Sequence, residues 1–184
     1  MKSPLAAIAS LLALLLLGGC AATSRIVDSH PLFAGPGEER AVIYFLRPMP
    51  QRSRGIADAD ITIELEQRPV MKLSRGEYAR IEIKPVETDV IIRSLSHHPY
   101  KAMPEPVWRA RHFTFEAGKT YYILARFQQE EFRGVFFIPT AIDEEKARRL
   151  ARHMTPAGKL ARAKPLAGKI KPRDDAGEIE EVLE

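Results

Sequence analysis

Cys20 is the only thiol in the sequence, so no intrachain disulfide can form and its surroundings decide its chemistry. Gly18 and Gly19 stand directly before it. Small residues there let an extended backbone enter a signal peptidase, and a cysteine just after the cut offers a sulfur for acylation. The upstream residues agree. Lys2 gives a short positive stretch, and residues 5–17 are apolar apart from Ser10. As a helix that run spans about 20 Å, well short of a hydrocarbon core about 30 Å thick. It fits the apolar region of a signal peptide and not a transmembrane anchor.

Leu17-Gly18-Gly19-Cys20 resembles the bacterial lipobox closely. The resemblance implies cleavage between Gly19 and Cys20, diacylglycerol on the sulfur, and often a further acyl chain on the new amine. One acyl chain holds a protein to a membrane only marginally, whereas two or more hold it stably. Ala21 and Ala22 follow the cysteine. An aspartate there would imply inner-membrane retention. Its absence implies the periplasmic face of the outer membrane in a Gram-negative cell.

The remaining residues offer less chemistry. His97 and His98 are neighbours, and neighbours in an extended chain point apart, so they do not chelate one ion together. His30, His112 and His153 fall at no metal-site spacing, so no metal is expected. Asp58 and Asp60 are spaced like paired carboxylates, but beside Ile56 and Ala57 they read as a turn before a strand. There is no nucleophile elbow, Walker loop or dinucleotide fingerprint, so neither catalytic residues nor a cofactor are expected. Trp108, Arg109 and Arg111 are the better candidates, because Trp and Arg anchor protein interfaces. Phe113 and Phe115 would place Arg109 and Arg111 on the core side of a regular strand. Burying both arginines is costly, so either a bulge intervenes or the strand is an edge, and arginine on an edge is ordinary protection against aggregation, a reading favoured over a binding site.

These residues need elements to hold them. Residues 20–39 are polar with Pro31, Gly35, Pro36 and Gly37, and read as a tether from the lipidated end. From 40 to 154 the pattern is a series of short strands. Residues 41–46 form an apolar run, ended by Pro48 and Pro50. Ile61, Ile63 and Leu65 alternate with polar residues, Arg68-Pro69 turns, and 70–73 pair back. A turn at Gly76 leads to Ala79, Ile81 and Ile83 alternating with Arg80, Glu82 and Lys84. Further strands are expected at 90–95, 107–115, 120–127 and 134–138. Residues 97–106 hold three prolines and read as a loop. Thr140 and Asp143 stand at capping-box spacing, with Glu144/Arg148 and Glu145/Arg149 as helix pairs, so a helix of about three turns should end near His153. Residues 155–184 read as a disordered charged tail. Its surroundings are one-sided: from Lys146 to Arg173 there are ten Lys or Arg and no acid, and from Asp174 to Glu184 six acids and no base. The expectation is an all-β domain, a small antiparallel β-sandwich of about eight strands with one C-terminal helix.

Three segments carry a resemblance to a family. Ala41-Val42-Ile43-Tyr44-Phe45-Leu46-Arg47-Pro48 resembles the opening strand of the DUF2846 family, Gly76-Glu77-Tyr78 its Gly-x-Tyr turn, and Ala117-Gly118-Lys119-Thr120-Tyr121-Tyr122 its later hairpin. The resemblance covers residues 41–154. It implies a small β-sandwich carried on a bacterial lipoprotein, and no assigned chemistry. Read together, the residues lead to a membrane-anchored, non-catalytic accessory or interaction module of the cell envelope. A binding protein for a small envelope-derived lipid or glycan comes second, and a hydrolase third. The expected partners are the membrane, through the N-terminal lipid, and anionic envelope polymers or an envelope protein. Export and the lack of interleaved aromatics argue against nucleic acid.

Overall fold

The computed structural model describes residues 26–49, 59–96, 103–130 and 134–167. The expected signal segment, Cys20, Asp58, the His97-His98 pair and the acidic end from Asp174 lie outside the described residues. Nine strands run β1 (Ala41–Arg47), β2 (Ile61–Leu65), β3 (Arg68–Leu73), β4 (Glu77–Ile83), β5 (Val86–Ser96), β6 (Glu105–Phe115), β7 (Thr120–Glu130), β8 (Gly134–Ile142) and β9 (Thr155–Ala157). Two short helices, α1 (Glu144–Ala151) and α2 (Gly158–Ala163), flank β9.

The fold is all-β, as the pattern predicts, and its strands form two sheets. One has the order β8-β7-β1-β4-β9 and the other β3-β2-β5-β6. The four-stranded sheet is antiparallel throughout. The five-stranded sheet is mixed, not antiparallel: β7 runs parallel to β1, with Val42 opposite Thr120, and β9 runs parallel to β4. Parallel neighbours need a long crossover. Here strands of the other sheet lie between β1 and β7 in the chain, which local alternation does not reveal.

The core lies between the sheets. Ile43 and Phe45 of β1, Ile61, Ile63 and Leu65 of β2, Ile81 and Ile83 of β4, and Ile123 of β7 belong to one buried cluster. Tyr121 and Phe127 pack against it, so the expected apolar face of β7 is the core face. A second buried cluster sits on the other side of the five-stranded sheet, where Tyr44, Leu46, Tyr78 and Leu124 meet Ala147, Leu150 and Ala151 of α1 and Ala161 of α2. β1 is therefore covered on both faces, which is why its sequence is a solid apolar run and does not alternate.

Several local expectations shift. The β2–β3 turn is Glu66-Gln67, both with positive φ (49° and 60°), and not Arg68-Pro69. That is the geometry of a two-residue hairpin. Pro69 sits in edge strand β3 where the register slips beside Glu64, a place that tolerates a missing N–H. Gly76 and Gly118 take positive φ at their turns (73° and 74°). Thr140 belongs to β8. The cap of α1 is Asp143, whose carboxylate accepts from the Lys146 N–H at 2.7 Å. The helix is consequently shorter than the three turns expected. Both helix pairs are present, Glu144–Arg148 at 2.7 Å and Glu145–Arg149 at 2.6 Å.

The ordered domain also extends beyond 40–154 at both ends. Ile26 bridges to Met71 and Phe33 to Ile83, so the tether's second half lies against the sheets. Beyond Met154, β9 and α2 form, Leu166 is buried, and its N–H donates to the Tyr78 hydroxyl at 3.3 Å. Two alanines and one leucine dispersed among lysines and arginines have no period to detect, yet they suffice to seat the segment on Tyr78 and Tyr44.

Candidate functional site

β6 is the edge strand of the four-stranded sheet. Its ladder with β5 is regular from Glu105 opposite Ser96 to Phe115 opposite Val86. Of the two ways to accommodate Arg109 and Arg111, the chain uses the edge and not a bulge. Trp108 is 56% exposed on the outer face, where it lies opposite Arg93. Arg93 reaches across to β2 and donates from Nε to Glu64 at 2.5 Å, although Glu64 is buried. Leu95, a diagonal neighbour on the same face, is also exposed.

Arg109 alternates to the other side. Its guanidinium sits 3.9 Å from the centroid of the Phe136 ring, and Nη1 donates back to the Trp108 carbonyl at 2.9 Å. A cation over a ring face is favourable and offsets part of the cost of half-burying the guanidinium. β8 supplies that ring because its start crosses the end of β5, where the Val135 N–H donates to Ser96 Oγ at 2.9 Å. Arg111 is exposed. The three candidate residues thus share a strand but not a surface: Trp108 faces outward with Arg93 and Leu95, and Arg109 seals the rim between the sheets.

The imidazoles are scattered. His112 meets Asp89 across the β5–β6 ladder at 3.0 Å, exposed. His30 is buried, and its Nδ1 accepts from the Leu32 N–H at 3.2 Å. Burial holds His30 below the usual histidine range, so it serves as a neutral structural group. His153 lies exposed beyond α1. Asp60 accepts from Ser74 Oγ at 2.8 Å, in keeping with its reading as part of a turn. Among the described residues no group of three His, Cys, Asp or Glu could hold a metal.

The feature that the sequence did not single out lies on the outer face of the five-stranded sheet. Arg80 is 4% exposed and donates from Nη2 to Glu82 at 2.7 Å. Arg40 donates to the other Glu82 oxygen at 2.6 Å. Burial pushes the Glu82 carboxyl up, but the two arginines outweigh it and hold it below the ordinary carboxylate range. Arg80 Nε is buried without a hydrogen-bond partner. Beside this triad runs an open cleft of about 710 Å³ between the entering chain (Ile26, Asp28, Phe33), β4 and the start of α2 (Lys159, Leu160). Arg80 and Glu82 alternate with core residues and therefore look like a solvated strand face. Arg80 is nonetheless buried and Glu82 partly so, beside a cleft that both chain ends line.

Comparison of the chain with known protein families, with curated proteins and with solved structures returns no match in any of the three.

Proposed function

We propose that the protein is a bacterial lipoprotein of the DUF2846 type, anchored through Cys20 on the periplasmic face of the outer membrane, and that it works as a non-catalytic interaction module of the cell envelope. The family reading is supported by where its three motifs fall. Arg47 is a buried cross-sheet donor, Gly76 holds a positive-φ turn, and Gly118 turns the chain into β7. The observation that carries the interaction reading is the exposed Trp108 on edge strand β6. An exposed indole flanked by Arg93 and Leu95 is a surface that gains by being covered.

The test is crosslinking in intact cells followed by identification of the adduct. The reading expects one major envelope partner, captured by the natural chain and lost with Trp108→Ala at unchanged protein level. An adduct pattern indifferent to Trp108 contradicts it. The cleft beside Arg80 favours a second reading, a binder of a small envelope-derived lipid or glycan, since it combines apolar walls with a few polar groups. Co-purifying small molecules lost with Phe33→Asp would favour that reading over the first.

A further inference from the structure

The point where the chain enters the domain and the basic helical layer share one side of the molecule. Val27 donates to the Val70 carbonyl at 3.0 Å, and Ile26 bridges to Met71 at the β3 edge. The Ile26 side chain also abuts Gly158 so closely that an added Cβ would lie 2.4 Å from its Cδ1. The entering chain therefore runs along the seam between the two sheets and emerges against the first residue of α2. Cys20 stands six residues before Ile26. Even fully extended, that link reaches only about 20 Å.

α2 turns a particular face outward here. Ala161 is buried against the sheet, which leaves Lys159 and Ala163 exposed on the opposite side and Leu160 and Arg162 exposed on the two flanks, Leu160 at the mouth of the cleft. Lys164, which ends α2, and Arg152, which ends α1, are also exposed. No acid occurs in the sequence between Lys146 and Arg173. None of Arg152, Lys159, Arg162 and Lys164 makes an ion pair among the described residues. Of the two carboxylates on the adjoining cleft wall, Glu82 is held by Arg40 and Arg80, which leaves Asp28 as the countercharge.

We propose that this face lies on an anionic phospholipid bilayer, with Lys159 and Arg162 against headgroup phosphates and Leu160 entering the interface. Charge complementarity and the short link to the anchor select that occupant. The inference rests on the lipoprotein reading for its biological setting, but its chemistry is independent of acylation. One exposed apolar side chain and four cations form a weak, salt-sensitive contact. Added to an acyl anchor, they act as a second attachment signal and fix which side of the domain faces the membrane, leaving β6 and Trp108 free for a partner.

The experiment uses unlipidated chain beginning at Ala21, which retains every strand and helix described, so its outcome does not depend on whether Cys20 is modified. It is sedimented with vesicles of phosphatidylethanolamine and phosphatidylglycerol, or of phosphatidylcholine alone. The expected result is binding to the anionic vesicles only, lost at high salt. Each cation removed from the contact weakens binding on the order of fivefold. Lys159→Gln with Arg162→Gln should therefore weaken it about twenty-five-fold. Arg111→Gln with Lys119→Gln, an equal charge change on β6 and at the turn before β7, away from the β3 edge where the chain enters, should leave it nearly unchanged. Leu160→Gln reads the same contact without altering charge and should also weaken it. Equal binding to both vesicles, or equal loss from the Arg111 and Lys119 pair, overturns the proposal. Capture by soluble polyglutamate with none on vesicles assigns the face to a polymer and overturns it as well.

Discussion

Arg47 donates from Nη1 to the carbonyl oxygen of Leu73 at 2.8 Å, and so joins the end of β1 in one sheet to the end of β3 in the other. The side chain is 1% exposed. Its Nη2 donates to the Ala59 carbonyl at 2.7 Å, and the guanidinium lies 5.1 Å from the Phe137 ring centroid. Three neighbours of different kinds converge on one buried cation, each satisfying part of a group that is costly to bury alone.

Removing Arg47 leaves the Leu73 carbonyl at the end of β3 and the Ala59 carbonyl before β2 without this donor. Arg47→Ala is expected to destabilise the domain by about 3 kcal/mol, because an unmet buried acceptor costs about 1–3 kcal/mol. Arg47→Lys should recover less than half of that, since a single ammonium lacks the planar fork. Urea titrations of the two variants check the ranking. Equal stability of Arg47→Ala and the natural chain would remove the cross-sheet role.

The Glu82 triad predicts an acid-sensitive term in stability. Its carboxyl titrates lower in the folded chain than in the unfolded one. The unfolded state therefore takes up the proton first as pH falls, and the triad's contribution, complete above the ordinary carboxylate range, is lost as pH drops through the folded value. Glu82→Gln should be less stable than the natural chain at neutral pH, and the gap should narrow steadily on acidification. Thermal melts across that range measure it. A constant gap would mean that the arginines do not depend on the charge of Glu82.

Chain beyond Met154 belongs to the fold as far as Ala167. Ending the chain after Ala167 should leave melting unchanged. Ending it after Met154 removes Leu166, Ala161 and Ala157 from the sheet and uncovers Tyr78, at a cost of about 2 kcal/mol after the entropy regained by the freed chain. Identical melting of the two truncations would mean that α2 is merely appended. The longer truncation also removes the Lys164 carbonyl that accepts from the Tyr44 hydroxyl at 3.0 Å, so near-ultraviolet tyrosine signals should change with it.

Local periodicity gave away strands that bury one face, such as β2 with Ile61, Ile63 and Leu65, whereas β1 and β7, covered on both faces, were legible as apolar, β-branched and aromatic runs. The pairs on α1 were equally legible, since Glu144/Arg148 and Glu145/Arg149 require only helical spacing. Long-range pairing was not. Nothing near Thr120 says that β7 will lie parallel to β1, and nothing near Thr155 says that β9 will lie beside β4. The same limit hid the Arg80–Glu82 site, beside a cleft lined by Ile26 and α2 from opposite ends of the chain. Trp108 and Arg109 were legible as residues of interest. Their separation onto opposite faces of β6 follows from simple alternation once the strand is shown to be regular.

The proposed acylation of Cys20 underlies the lipoprotein reading, and one labelling experiment addresses it. Cells expressing the natural chain or Cys20→Ala are grown with radioactive fatty acid, fractionated into membrane and soluble pools, and the protein is recovered from each. The account predicts label on the natural chain in the membrane fraction, and an unlabelled Cys20→Ala chain that retains its signal segment. A Cys20→Ala chain labelled, cleaved and sorted like the natural one would contradict it.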